Sequence, residues 1–135
     1  MNFNLHKQLE QDCFFVSDLK LCRVLLMNNS LFKWLILVPR IENAEEIIDL
    51  NQEDRQILMQ EICFISTVMK DLFTPKKLNI GALGNLVPQL HIHVIARYED
   101  DAAWANPVWG KGCKTYTDPQ PLISQIVGAI NESRI

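Results

Sequence analysis

The chain has 135 residues, 48% of them hydrophobic, which is enough apolar material to bury a sizeable core in one domain spanning 1–135. Its formal charge of −3 comes from 13 basic and 16 acidic residues scattered without like-charged blocks, which argues against a nucleic-acid-binding protein. Apolar runs such as 35–39 and 62–65 are far shorter than the roughly 20 residues of a membrane span, and the polar first residues lack a signal-peptide core, so a cytoplasmic protein with no membrane partner is expected.

Residues 2–10 read as a short helix, with Asn4 as a cap and Leu5 and Leu9 four apart on one side. Strands follow at 13–16 and 21–27 around a turn at 17–20, and 28–30 makes another turn. The run Trp34-Leu35-Ile36-Leu37-Val38, stopped by Pro39, predicts a central strand covered on both faces. A long helix over 51–73 starts at the cap Asn51, with Glu53 and Asp54 in its first turn, and ends before Pro75. Leu58, Ile62, Ile65, Met69 and Leu72 draw one apolar stripe along it, a core-packing face. Extended chain resumes at 78–80, a loop occupies 81–85, and 89–98 reads as the next strand. Asp118 caps a last helix with Pro119 at its first position and Ile123, Ile126, Val127 and Ile130 on its buried face. Strands on either side of one long helix, without β-α-β alternation, predict an α+β domain with a mainly antiparallel sheet. The four cysteines have no C-x-x-C spacing and read as reduced structural thiols, Cys63 among apolar neighbours.

Two of the three histidines fall two apart in the segment 88–97, PQLHIHVIAR. In a strand, Gln89, His91, His93, Ile95 and Arg97 share one face, and Leu90, Ile92, Val94 and Ala96 share the other. Neighbours on one face lie about 7 Å apart, so both imidazoles can reach one small group such as a phosphate. Three readings compete. The pair is a hydrogen-bonded structural feature, or two ligands of a metal that lacks a convincing third, or a nucleophile with a partner at the leaving oxygen of a phosphorus centre. The preceding loop 81–87, GALGNLV, has two glycines that let backbone approach a ligand and an Asn amide that can donate to a phosphate, which favours the third.

The segment 79–97, NIGALGNLVPQLHIHVIAR, resembles the signature of the histidine triad (HIT) nucleotide hydrolases and transferases, His-φ-His-φ-His-φ-φ with φ apolar. Asn28-Asn29 ahead of WLILVPR and the helix over 51–73 extend the resemblance across roughly 12–100. It implies that His91 attacks an α-phosphate and carries the nucleotidyl group, that His93 meets the leaving-group oxygen, and that Gln89 stands at the first histidine position and orients His91. It implies phosphate contacts from Asn85, Gly84 and Asn79, and a ribose contact near Asn29. It further implies a sheet extended across a homodimer, a nucleotide-type small-molecule substrate of the diadenosine polyphosphate or nucleoside phosphoramidate class, and no cofactor or metal.

The departures are Gln89 for the first histidine, Leu86 for the usual Ser or Thr, and Trp34 at a strand position that often carries a further histidine. They keep open a second reading, a nucleotide-binding or interaction protein of the same fold with little turnover. The loop 99–110 carries Trp104 and Trp109, read as a lid or base-stacking wall on one hand and as a core or interface anchor, the preferred reading, on the other. Arg97 is read as salt-bridged or solvated ahead of phosphate-binding.

Overall fold

A computed structural model describes residues 3–134. In chain order it has α1 (Lys7–Asp12), β1 (Cys13–Asp18), β2 (Cys22–Met27), β3 (Lys33–Pro39), a short 3-10 turn (Ile47–Asp49), α2 (Gln52–Phe73), β4 (Lys77–Gly81), β5 (Ile92–Arg97) and α3 (Gln120–Ser133). The five strands form one sheet in the order β1-β2-β3-β5-β4, with every neighbouring pair antiparallel. The expected α+β class with a mainly antiparallel sheet is the one observed.

Both faces of the sheet are covered, because the central strands are apolar at consecutive positions. Leu35, Leu37, Ile92, Val94 and Ala96 face α2 and α3, together with Leu58, Ile62, Ile65 and Met69 of the predicted stripe and Ile123, Ile126 and Ile130 of α3. Each of these Leu, Ile, Val and Met side chains contributes about 1.5–3 kcal/mol on burial. Trp34, Ile36, Val38 and Ile95 face the other way, under Val87, Ala103 and Val108 from two connecting segments. The histidine face thus opens onto loops, where chemistry has room, while the helices back it.

Several boundaries differ from the sequence reading. Asn2, at the start of the expected first helix, lies outside the described residues. α1 begins only at Lys7, because the His6 ring, rather than Asn4, accepts the cap bond from Gln8 N at 3.0 Å, and the Asn4 carbonyl is taken by Gln89. Ser17 and Asp18 continue β1, where Asp18 pairs with Arg23 at 2.9 Å. β5 starts at Ile92 instead of residue 89, because the Leu90 N–H is drawn out of the ladder to the Ala44 carbonyl, 2.9 Å away. The final helix is capped one residue late, at Pro119, with Asp118 accepting from Gln120 N at 3.2 Å. Cys63 is exposed on α2 instead of packed among apolar residues, and all four thiols are free. Burial pushes the Cys13 thiol up to about 12, which leaves it inert at neutral pH.

One anchor had no signature in the sequence. Glu61, buried on α2, accepts from the backbone of Leu21 at 2.9 Å and Cys22 at 2.8 Å, tying the long helix to the start of β2. No helix among the described residues is long and apolar enough to cross a membrane.

Candidate active site

His91, just before β5, and His93, within it, stand side by side, ring centroids 4.9 Å apart and both buried, at 5% and 3% exposure. Each ring is held by a partner that can play only one role. The Gln89 backbone carbonyl, an acceptor, lies 2.7 Å from His91 Nδ1, so Nδ1 carries the proton and Nε2 of the neutral ring holds a free lone pair. The Trp34 indole N–H, a donor, lies 2.9 Å from His93 Nδ1, so that nitrogen is bare and the proton sits on Nε2. The two rings are therefore complementary: one offers a nucleophilic lone pair and the other an N–H. His93 Nε2 is buried and has no hydrogen-bond partner among the described residues, a donor left for something that the protein itself does not supply.

His93 is also kept uncharged. Burial first, and the neighbouring His91 second, bring its pKa down to about 4, opposed weakly by the Leu83 backbone of the glycine loop, which does not reach hydrogen-bonding geometry. The folded value lies below the ordinary 6.5, so the folded state binds fewer protons than the unfolded chain between the two. Stability from this group is complete above pH 6.5 and is lost as pH falls toward 4, by about 3 kcal/mol. Urea unfolding at pH 7 and pH 4 should show that loss, and His93→Asn should flatten it.

The site residues expected from the sequence divide into those gathered around the pair and those committed elsewhere. Gly84, Asn85, Gln89 and His91 line one cavity of about 280 Å³, together with Glu45 and Glu46. A Cβ built on Gly84 would lie 2.7 Å from the Val87 carbonyl oxygen, so only glycine lets the loop turn this tightly on itself, whereas the 3.6 Å to His91 Cε1 is ordinary contact. Gly84→Ala should therefore force the 84–87 turn apart and cost about 1–3 kcal/mol, measurable by thermal unfolding. Gln89 orients His91 through its backbone carbonyl, not through its amide. That side chain instead clasps the N-terminal segment, accepting from His6 N at 2.8 Å and donating to the Asn4 carbonyl at 2.9 Å. Leu86 is 94% exposed.

Asn79 points its carbonyl oxygen to Arg97 at 2.6 Å and does not line the His91 cavity. Asn29 is buried, donating to the Gly112 carbonyl at 3.0 Å and accepting from Leu31 N and Lys114 N at 3.2 and 3.3 Å. Together with Asn28, Trp34, Trp109 and Gly112 it lines a second cavity of about 510 Å³, large enough for a nucleoside-sized ligand. The rings of Trp34 and Trp109 pack on the His93 ring, centroids 5.6 and 5.1 Å away, so two walls of this cavity also flank the second histidine.

Arg97 is the largest surprise on this face. Only 1% exposed, it makes a two-pronged pair with Asp101 at 2.8 and 3.1 Å and donates to Asn79 and to the Asn106 carbonyl. This ties the loop that carries Trp109 to β5 and β4. The salt-bridged reading of Arg97 holds, but buried rather than near solvent. Of the tryptophans, Trp109 packs on His93 and Trp34, whereas Trp104 lies against Arg97. Sequence reasoning noted Trp34 only as a departure, since nothing in a run of apolar residues shows where an indole N–H will point. Among the described residues no three His, Cys, Asp or Glu side chains converge as metal donors.

An open five-stranded antiparallel sheet with a buried histidine pair at the start of β5, between the central β3 and the edge strand β4, is the architecture of a histidine triad protein. The chain belongs to the HIT domain family, whose model matches residues 8–100. A histidine triad protein from Marinobacter aquaeolei VT8 is 41% identical, covering 96% of this chain and 97% of its own, with a TM-score of 0.93. One from Bradyrhizobium japonicum is 42% identical over 96% of both chains, with a TM-score of 0.89. The diadenosine triphosphate hydrolase of Plasmodium falciparum shares the fold at 19% identity, covering 98% of this chain and 84% of its own, TM-score 0.65. No curated protein matches the chain.

Proposed function

We propose that this protein is a nucleotidyl hydrolase or transferase that cleaves the α-phosphate linkage of nucleotide conjugates through a nucleotidyl-His91 intermediate. The observation that carries the reading is the paired tautomers: a lone pair at His91 Nε2 beside an N–H at His93 Nε2. His91 Nε2 forms a bond to phosphorus as the bond to the leaving oxygen breaks, and the electron pair departs on that oxygen, which accepts a hydrogen bond from His93. Water then attacks phosphorus, the pair of the N–P bond returns to His91, and the proton lost by the water passes to solvent. The Gln89 carbonyl, held to the His91 Nδ1–H throughout, stabilises the positive charge that the ring carries while it is bonded to phosphorus.

In this reading Gln89 occupies the first position of the triad, and its backbone performs the orienting role while its amide fastens the N-terminal segment. Gly84 and Asn85 face the phosphate, and the cavity bearing Asn28 and Asn29 takes the nucleoside. Asn79 acts indirectly, through Arg97. The substrate class is that of diadenosine polyphosphates or nucleoside phosphoramidates, supported at the level of the fold by the diadenosine triphosphate hydrolase above. β4 is an edge strand hydrogen-bonded on one side only, which suits a homodimer that continues the sheet through a second copy.

The test is the intact-protein mass after brief incubation with diadenosine triphosphate or adenosine 5′-phosphoramidate, with and without chelator. A nucleotidyl adduct and turnover that survive chelator uphold the reading. Nucleotide binding with neither adduct nor turnover would favour a binding protein instead.

A further inference from the structure

We infer that Trp34 is a positioning residue that locks His93 as a hydrogen-bond donor unable to supply a proton, and thereby restricts the enzyme to weakly basic leaving groups. The inference rests on the nucleotidyl-transfer reading and narrows its substrate class.

The indole N–H can only donate. A doubly protonated His93 would set its Nδ1–H against the Trp34 Nε1–H across 2.9 Å, two donors facing one another with neither satisfied. The charged ring is thus opposed by geometry as well as by burial. Only the Leu83 backbone favours the charged ring, and weakly. β3 presents Trp34 and Ile36, β4 presents Gly81, the 98–112 loop presents Trp109, and the titratable neighbour is His91, whose charge would also disfavour a second one. Trp34 is itself wedged edge-on between Phe32 and Trp109, centroids 6.3 and 6.0 Å away, which holds its N–H in place.

A neutral imidazole N–H is far too weak an acid to protonate a departing group, but it stabilises negative charge that develops on an oxygen nearby. The leaving group must then carry its electron pair away unaided. A phosphate oxygen of a phosphoanhydride does this readily, whereas an amine or an alkoxide must be protonated to leave. The geometry therefore favours phosphoanhydrides over phosphoramidates.

Two measurements test this. Long-range ¹H–¹⁵N spectra of the intact protein should show His93 Nδ1 bare and Nε2 protonated, unchanged from pH 5 to 8. Adduct formation on His91 from a series of adenosine 5′-phosphate aryl esters should slow steeply as the leaving phenol becomes more basic. Trp34→His, which can accept as well as donate, should move the His93 titration up toward the usual 6.5, add an acid limb to kcat/KM and flatten the leaving-group dependence. Trp34→Phe, which keeps a ring but no donor, should free the tautomer, and it substitutes if the histidine variant fails to fold. A protonated Nδ1 in the wild type, or a Trp34→Phe protein with unchanged spectrum, pH profile and leaving-group slope, would overturn the inference. Failure of every ester to form an adduct would overturn the nucleotidyl reading and the leaving-group half of this inference, and the spectra would still decide whether Trp34 sets the tautomer.

Discussion

His91→Ala is expected to lower turnover of a nucleotide conjugate by roughly 10⁶-fold and to abolish the covalent adduct, while costing about 1–3 kcal/mol of stability. The loss in rate is large because the lone pair at Nε2 is the attacking group, and no other imidazole, thiol or hydroxyl lines the 280 Å³ cavity, where the carboxylates of Glu45 and Glu46 are the remaining groups able to attack. The loss in stability stays moderate because the ring, although buried, contributes a single hydrogen bond, to the Gln89 carbonyl. The comparison that separates chemistry from folding is single-turnover kinetics with intact mass on the one hand and urea unfolding on the other. His91→Gln serves as a second variant that retains a donor toward Gln89 without a nucleophile. Turnover within tenfold of wild type in either variant would mean that the phosphorus is attacked from elsewhere.

The second large effect is expected at a residue that never touches the histidines. Asp101→Ala should destabilise the protein by about 3–5 kcal/mol, because it leaves the Arg97 guanidinium charged, buried and unpaired. Asp101 also accepts from the backbone of Tyr98 at 3.1 Å and Ala103 at 3.0 Å, so the same change releases the turn that leads into the tryptophan loop. Trp109 should then lose its seat on His93, visible as a change in tryptophan fluorescence and a fall in activity beyond that explained by unfolding. Asn79→Ala, which removes one neutral acceptor from Arg97 and leaves the ion pair, should cost far less. The Arg97 hydrogen bonds hold the Asp101 carboxyl down to about 2, below its ordinary value, so the stability that it contributes is complete above about pH 4 and lost as pH falls through 2. This lies below the window in which His93 takes up its proton, and acid unfolding should accordingly show two successive losses of stability.

The sequence by itself determined the architecture and the reactive pair. Period-2 alternation through 89–97 placed His91 and His93 on one side of a strand and Leu90, Ile92, Val94 and Ala96 on the other, and the stripe from Leu58 to Leu72 assigned the long helix to the backing layer. These are local patterns, set by backbone geometry within a few residues, and they survive folding where nothing distant competes with them; where the Ala44 carbonyl draws off the Leu90 N–H, the strand starts only at Ile92. What only the tertiary structure decided is who holds each reactive atom. Trp34 meets His93 across 59 residues of sequence, Gln89 clasps Asn4 and His6 across 85 and 83, and Asn29 reaches the 112–114 segment across a similar span. Arg97 and Asp101 stand only four residues apart, yet their burial depends on the loop folding back over the sheet. A hydrogen-bond donor has no preferred partner until packing brings one within about 3 Å, so tautomer, charge state and the commitment of each amide are properties of the assembled fold rather than of any motif.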